Sequence, residues 1–487
     1  MGRPTRNPGG KPMAIELVEL GEELSQEELL ESRKSNAIPE GITSRMMYDD
    51  VVRIAWPSFV EMGLTQLAAM VNMMMVGGLG AWAVAAVGLT TQPRFLLMTM
   101  FMALNVGATA MVARNKGAGN QERANLILRQ SLMINLGLTV IMSVLGYIFA
   151  RPMIQFMGAP DELVLEGGTV YLRIQMIGFT LFAITATITA ALRGAGETRV
   201  PMIYNLVGNI IGVAFGIVLI YGHLGFLRLE LVGASVALIL GQAVAFIIAA
   251  VAILSGRFYI RFSFRDKFSF DKEAVSQITK IGFPSMLEQM VMRTGMIIYS
   301  ITVAGLGTVA FATHHILFNI QAMSFMTGQA FAVSATSLVG QSLGRRRPDM
   351  AHLYAARTRR IGMVFAVFLG VLFFFFGRQI IGLYTYDPVI IDMGGSIMMM
   401  MDFMLPLQSS QFILAGALRG AGDTKATAII TFVSVLLVRP FLAIGLIELF
   451  SMGLWGAWIA LAADQAARSG LVWLRFVSGK WKAVIKD

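Results

Sequence analysis

From Val51 onward, apolar runs of 23 to 33 residues alternate with short polar breaks rich in Gly, Arg and Lys. A helix crosses a bilayer with about 20 mostly apolar residues. The pattern therefore predicts twelve spans, at 52–76, 81–113, 124–149, 166–192, 199–221, 231–254, 276–303, 308–340, 350–376, 391–418, 424–447 and 453–476. Several exceed the minimum length, which predicts tilt, kinks or interfacial ends. Pro57, Pro284, Pro406 and Pro440 fall inside spans, and each frees a carbonyl one turn back. Residues 1–50 are different in kind. They form a polar tail with Pro and Gly in the first dozen positions and a Glu-rich stretch from Glu16 to Glu31, expected to be disordered or at most one short amphipathic helix. No secretory apolar region follows the first basic residues, so no cleaved signal peptide is expected.

Composition narrows the function classes. AVILMFWYC letters make up 56% of the 487 residues, only 14% are charged, and mean hydropathy is +0.68. A soluble globule cannot cover that much apolar surface, and no room remains for a sizeable catalytic domain, so an enzyme is not expected. Fifty glycines and 34 methionines suit closely packed, adaptable helices. The absence of cysteine excludes disulfides, thiolate metal sites and cysteine nucleophiles.

The net charge of +10 lies between the apolar runs and reads as a topology signal rather than a nucleic-acid surface. Flanks on one side collect 31 Lys and Arg, those on the other only Arg151, Arg228 and Arg378. Both termini are thus expected in the cytoplasm of a multi-pass cell-membrane protein.

An internal duplication organises the chain. Pro57-Ser58 with Glu61 recurs as Pro284-Ser285 with Glu288, a shift of 227. Gly78-Leu79-Gly80 and Ala108-Thr109 recur as Gly305-Leu306-Gly307 and Ala335-Thr336 at the same shift. Leu192-Arg193-Gly194-Ala195-Gly196 recurs as Leu418-Arg419-Gly420-Ala421-Gly422 at 226, and Gly233-Ala234 with Gln242 as Gly456-Ala457 with Gln465 at 223. The expected organisation is a tail (1–50), a six-helix lobe (51–254), a basic linker (255–275), a second six-helix lobe (276–476) and a basic end (477–487). Six crossings return the chain to its starting side, so a pseudo-twofold axis along the membrane normal should relate the lobes. Transporters built of repeats hold substrate near the midplane between them.

Ionisable residues within spans mark function, because a centred charge costs about 2.5–3.5 kcal/mol on insertion scales. The acids are Glu61, Glu288, Asp402 and Asp464. Glu61 and Glu288 hold equivalent repeat positions one turn beyond a proline, where a proton carrier and a structural hydrogen bond are both admissible. Asp464 and Arg468 stand at i, i+4 in the order that favours an ion pair. Glu288 and Arg293 are five apart and do not face each other, so Arg293 is expected to meet Asp402 or Asp464. The glycine-rich turns lack the Gly-Lys-Ser/Thr of a P-loop. Arg193 and Arg419 instead suit a helix C-terminus, Gly the cap, and Thr198 and Thr424 the start of the next helix. With no ATP site, uphill transport must draw on an ion gradient.

His314 and His315 are expected to be packed rather than proton relays, and no metal-site spacing accompanies them. Asn319, Gln321, Gln408 and Gln411 are candidates for lining a hydrated cavity, with helix-to-helix hydrogen bonding as the alternative. The runs Met73–Met75 and Met398–Met401 point all around their helices, so only some of each face any cavity.

Two six-span halves, each ending its fourth span in Leu-Arg-Gly-Ala-Gly-acid-Thr, resemble the multidrug and toxic compound extrusion (MATE) family over about residues 50–480. Met75-Val76-Gly77, Ala312-Thr313-His314-His315-Ile316 with Asn319, and Arg439-Pro440 strengthen the resemblance. It implies a V-shaped twelve-helix fold that exports organic cations or other amphipathic compounds in exchange for H⁺ or Na⁺. No cofactor beyond the coupling ion is implied, and the expected partners are small cationic or amphipathic molecules and the bilayer, with no nucleic acid and a monomeric state.

The chain departs from the family's cation sites. Asn72 stands where Asp is common late in span one, Gly216 falls at the span-five Asp, and Gln408 at the span-ten Asp of one branch. His314 matches the family's His, while His315 stands where Gln is common. The coupling candidates are then Glu288, Asp402, Asp464 and Arg293, with Glu61 second, and Asn72 joins the cavity candidates. The competing function is a lipid or lipid-linked oligosaccharide flippase. It needs a large cationic cavity, against which the few in-span arginines besides Arg439 and Arg468 (Arg94, Arg173 and Arg293) argue.

Overall fold

The computed structural model describes residues 13–17, 38–39, 41–225, 227–263 and 269–483. Most of the expected amphipathic stretch at 16–31, and the middle of the basic linker, lie outside these residues. Among the described residues there is no strand, and the chain is all α-helical. The long helices are α1 Ser44–Gly77, α2 Ala81–Gly117, α3 Gln121–Ile148, α4 Glu162–Gly194, α5 Arg199–Tyr221, α6 Glu230–Leu254, α7 Lys272–Ala304, α8 Thr308–Gly344 and α9 Pro348–Gly382. They continue as α10 Pro388–Asp402, α11 Leu405–Gly420, α12 Thr424–Phe432 and α13 Gly453–Val477.

Nine helices among the described residues are long and apolar enough to cross a membrane, and α10 with α11 makes a tenth, bent by 51°. The predicted seventh and twelfth spans form as α7 and α13, but Glu288 and Arg293 in one and Asp464 and Arg468 in the other lower their hydropathy. The predicted tenth span is corrected in one respect. Pro406 does not lie within a continuous helix but in the first turn of α11, where its missing N–H costs nothing. Pro440 has a different setting, the short helix Arg439–Ile444 between π-helical segments Val433–Val438 and Gly445–Leu449. Such wide turns recur at functional sites.

Outward faces are greasy. On α9, Val364 is 70% exposed and Phe375 67%, whereas Ala366, Gly370, Phe373 and Gly377 on the other face are buried. This inverted pattern suits lipid as the solvent.

The chain divides into two compact units, Val60–Gly282 and Pro12–Phe59 with Phe283–Asp487. Both divisions fall inside a helix beside a proline, past Pro57 in α1 and ahead of Pro284 in α7. In the second unit one core gathers Met13–Ile15, Met47, Val51, Ile54, Val339, Tyr354, Leu418, Phe476 and Trp481. There Asp50 accepts hydrogen bonds from the Ala14 N–H (2.9 Å) and the Tyr354 hydroxyl (2.7 Å), and Phe476 stacks between His352 and Trp481.

The duplicated motifs are contacts. Leu192–Gly196 and Leu418–Gly422 end α4 and α11 in the same way. The N–H of Glu197 donates to the Leu192 carbonyl and that of Asp423 to the Leu418 carbonyl, both at 2.8 Å, with Gly196 and Gly422 left-handed at φ 77° and 82°. A Cβ on Gly194 would lie 2.5 Å from the Thr109 carbonyl oxygen, and one on Gly420 2.3 Å from that of Thr336. The repeated Ala-Thr and Leu-Arg-Gly pieces are thus two sides of one close helix crossing in each unit. One expectation fails: Thr198 makes no side-chain cap, and Thr424 is the first residue of α12 with its hydroxyl unpaired, because the N-cap position falls to Asp423. The motif acids fasten more distant chain to each turn, Glu197 accepting from the Tyr259 N–H at 2.9 Å and Asp423 pairing with Arg475 at 2.7 Å.

Candidate functional site

Three of the four in-span acids are held by arginine. In the first unit, Glu61 on α1 lies 2.9 Å from the Arg193 guanidinium on α4 and accepts a hydrogen bond from the Asn205 amide at 2.6 Å. In the second, Glu288 on α7 pairs with Arg419 at 2.7 Å and accepts the Thr427 hydroxyl at 2.9 Å. The arginines expected at helix C-termini do stand in the last turns of α4 and α11, but their charge is spent on these glutamates. Sequence reasoning missed this clasp. Its signal was present, since acid and arginine recur together at shifts of 227 and 226.

Asp464 is fully buried. Its Oδ2 accepts from Arg468 Nη2 at 2.6 Å, the expected i, i+4 partner, and from both Nε and Nη2 of Arg439. Arg439, 25 residues earlier and between the π-helical segments, was not foreseen as a partner. Its guanidinium also covers the Tyr299 ring at 5.7 Å. Tyr299 meets His314 edge-on at 5.4 Å, and His314 meets Trp458 at 5.5 Å. His314 is therefore packed among aromatic rings, while His315 lies exposed against Phe311. Arg293 hydrogen-bonds neither Asp402 nor Asp464, which corrects the expected pairing. Arg439 and Arg468 already occupy Asp464, and among the described residues no group donates to Asp402.

Asp402 is the exception among the acids. It ends α10 at the bend, is buried, lies against Gly370 of α9, and neither carboxylate oxygen has a hydrogen-bond partner among the described residues. Nearby elements carry further orphans. Gln321 Oε1 and Ser324 Oγ on α8, both polar ends of Gln408, Ser409 Oγ and Gln411 Oε1 on α11 are buried without partners. The crossing of α8 and α11 pairs Gly420 with Thr336, Gly416 with Ala332 and Gly328 with Phe412. The same register carried one turn back sets Ser324 level with Gln408. Buried polar groups are nearly always satisfied, so a run of orphans is the lining expected of a place that takes up water or an ion.

The remaining candidates fall elsewhere. Asn319 is exposed, with its amide on the His315 carbonyl at 2.8 Å. Asn72 belongs to the first unit, hydrogen-bonded to Tyr171. The methionine runs divide around their helices as their spacing requires, Met75 and Met398 buried and Met74 61% exposed. No group of three or more His, Cys, Asp or Glu among the described residues is placed to hold a metal ion.

Comparison with known proteins identifies the family. The MatE family model matches twice, over residues 57–218 and 284–444, beginning at the two prolines 227 residues apart. A probable multidrug resistance protein NorM of Thermotoga maritima is 31% identical, covering 89% of this chain and 93% of that one. The uncharacterised transporter YisQ of Bacillus subtilis is 27% identical, covering 88% and 94%. Among solved structures, a MOP-superfamily transporter from Pyrococcus furiosus, described by a reversed polarity of its binding pocket, superposes with a TM-score of 0.84 at 23% identity over 91% of this chain and 97% of that one. An outward-facing MATE transporter gives 0.83 at 23%, covering 89% and 97%. The twofold family match and the near-complete relatives establish that this chain belongs to the MATE family of transporters.

Proposed function

We propose that this protein is a secondary active antiporter that exports organic cations or amphipathic drugs in exchange for H⁺ or Na⁺ by alternating access, with Asp402 as the coupling carboxylate. Family membership supports the transport reaction and a mechanism without enzymatic catalysis. The observation that carries the assignment is the contrast among the four acids. Glu61, Glu288 and Asp464 are neutralised by arginine, whereas Asp402 is buried with both oxygens unpaired.

A cation arriving at Asp402 removes an uncompensated buried charge, and a departing cation restores it, so occupancy biases the backbone at the α10–α11 bend. Binding of drug on one side and of H⁺ or Na⁺ on the other then alternate. The proposed frame is two lobes of six helices, 51–254 and 276–476, in a V with both termini in the cytoplasm and the chain acting as a monomer. The 31-to-three asymmetry of basic residues supports that orientation.

The test is ethidium flux from proteoliposomes under pH and sodium gradients imposed separately. Wild-type protein moves dye under one of them, and Asp402→Asn abolishes gradient-driven flux while the protein stays folded and binds dye. Undiminished coupled flux in Asp402→Asn moves the coupling site elsewhere. Dye efflux that persists with every gradient collapsed rejects antiport.

A further inference from the structure

The second unit carries a buried cation that only neutral groups answer. Arg357 of α9 is 8% exposed. Its Nε donates to the Ser44 hydroxyl of α1 at 3.3 Å and its Nη1 to the Leu353 carbonyl at 3.4 Å, both long for a charged donor. Its guanidinium lies 5.9 Å from the Tyr48 ring. Among the described residues no carboxylate pairs with it. Asp50 is taken up by the Ala14 N–H and the Tyr354 hydroxyl, and exposed Asp49 forms no ion pair among these residues. Arg45 follows Ser44, and Arg360 lies three residues beyond Arg357. Both are exposed and equally without an acid among the described residues.

The duplication shows that this charge is peculiar to the second unit. At the shift of 227, Arg357 corresponds to Gln130 and Ser44 to Asp271. The first unit closes the same joint with matched groups. Gln130 donates to the Ser269 carbonyl at 2.8 Å and accepts from the Asp271 N–H at 3.3 Å, while the Asp271 carboxylate lies 3.4 Å from Arg123. The second unit has a guanidinium in place of the amide and a serine in place of the acid, so one positive charge is left over.

Further into the predicted spans the same two helices share a row of rings. Trp56 and Phe59 of α1 and Phe365 and Phe368 of α9 follow one another at centroid distances of 5.9, 5.7 and 6.2 Å. Both ends of the row are open, Trp56 60% and Phe368 57% exposed, and Val52 and Val364 add exposed apolar surface. Phe365 lies about 12 Å beyond Arg357 along α9, at 1.5 Å per residue. An apolar face alone is ordinary lipid contact, and solvent-facing arginines alone are ordinary solvated charge. Here an uncompensated guanidinium leads into an open aromatic floor, which is the shape of a headgroup followed by a chain. We infer that the α1–α9 groove of the second unit holds an anionic phospholipid, its phosphodiester on Arg357 and Arg360 beside Arg45, and an acyl chain over Trp56 and Phe368. Guanidinium grips phosphate oxygens with charge-assisted hydrogen bonds. A zwitterionic lipid brings its own cation to the same place and gains less.

Trp56 reports its own neighbour. The purified full chain is placed in bilayers mixing phosphatidylglycerol with phosphatidylcholine, and either lipid in turn carries brominated chains in equal amount. The part of the tryptophan quenching that is lost in Trp56→Phe gives the relative occupancy of the groove. Phosphatidylglycerol should be favoured about tenfold or more, at roughly fivefold per arginine near the membrane surface. Arg357→Gln with Arg360→Gln should bring the ratio below about twofold, and Arg357→Lys with Arg360→Lys should keep most of it. Arg360→Gln alone, at an exposed position, should already lower it several-fold, and an unchanged ratio in that variant overturns the inference. Equal quenching by the two lipids in wild-type protein also overturns it and needs no variant to fold. So does an equal preference at the tryptophans remaining in Trp56→Phe, which makes the effect a general attraction to the leaflet. Loss of the preference on adding inorganic phosphate at constant ionic strength assigns the arginines to free phosphate. A preference that emerges only when Glu22, Glu23, Glu27, Glu28 and Glu31 are changed to Gln assigns them to the acidic tail. Either of these results overturns the lipid reading, and none of them touches the antiport reading above.

Discussion

The two units have kept the same frame and diverged at one helix pair. Each has a glutamate after its proline clasped to the arginine of a Leu-Arg-Gly cap, and each packs that glycine on a threonine carbonyl. Then they part. In the first unit α5 and α6 touch backbone to backbone: a Cβ on Gly241 would lie 2.5 Å from the Gly208 carbonyl oxygen. At the shift of 223 that matches Gly233-Ala234 with Gly456-Ala457, Gly241 corresponds to Asp464 and Ala245 to Arg468. The second unit therefore fills the same step with a buried three-charge cluster, against a helix widened into π-turns. The shared frame carries the fold. At this pair the first unit is closed backbone to backbone, whereas the second accommodates buried charge.

Substitutions that exchange the characters of the two halves test this contrast. Asp464→Ala should have the largest effect, costing about 3–5 kcal/mol, because Arg439 and Arg468 are left buried without compensation. Thermal unfolding in detergent followed by tryptophan fluorescence reads the loss. Asp464→Gly combined with Arg468→Ala and Arg439→Leu, which imports the first unit's apolar solution, should recover most of it. Glu288→Gln and Glu61→Gln should each cost about 1.5–3 kcal/mol by removing a charge-assisted bond. Near-equal losses confirm the clasp as shared scaffolding, whereas abolished transport at unchanged stability would make either one a coupling group. Gly241→Ala forces the α5–α6 crossing apart and should cost about 1–2 kcal/mol. A neutral result by the same melting measurement would mean that the seam yields easily. Asp402→Asn should change stability least, by under about 1 kcal/mol, since it breaks no protein hydrogen bond.

Periodicity made much of this legible. Each of the twelve apolar runs falls on helix, the tenth on two helices bent against each other, and the repeated tetrads and pentads prove to be capping and crossing contacts. What the pattern withheld is which distant side chains meet. Apolar spacing fixes the face a residue occupies, but the partner of Glu288 lies 131 residues away and that of Asp464 on a helix whose wide turns shift every later residue around the axis. Arg293 was expected on Asp402 or Asp464 from proximity in the lobe alone, and two other arginines had the better geometry. Pro406 was legible as an in-span proline, but not that the helix would end at Asp402 and restart at Leu405, because the apolar run carries on past both.

One core joins Met13–Ile15 to Val339, Phe476 and Trp481, so it draws on segments made far apart in time during translation. Ribosomes adding about 5–20 residues per second leave the leading segment waiting roughly 20–90 s for its last partner. The unit spanning Val60–Gly282 needs no such delay. Assembly in the cell should therefore finish with the second unit, and an arrest before Trp481 is made should yield a nascent chain with one bundle protected from protease and the other open.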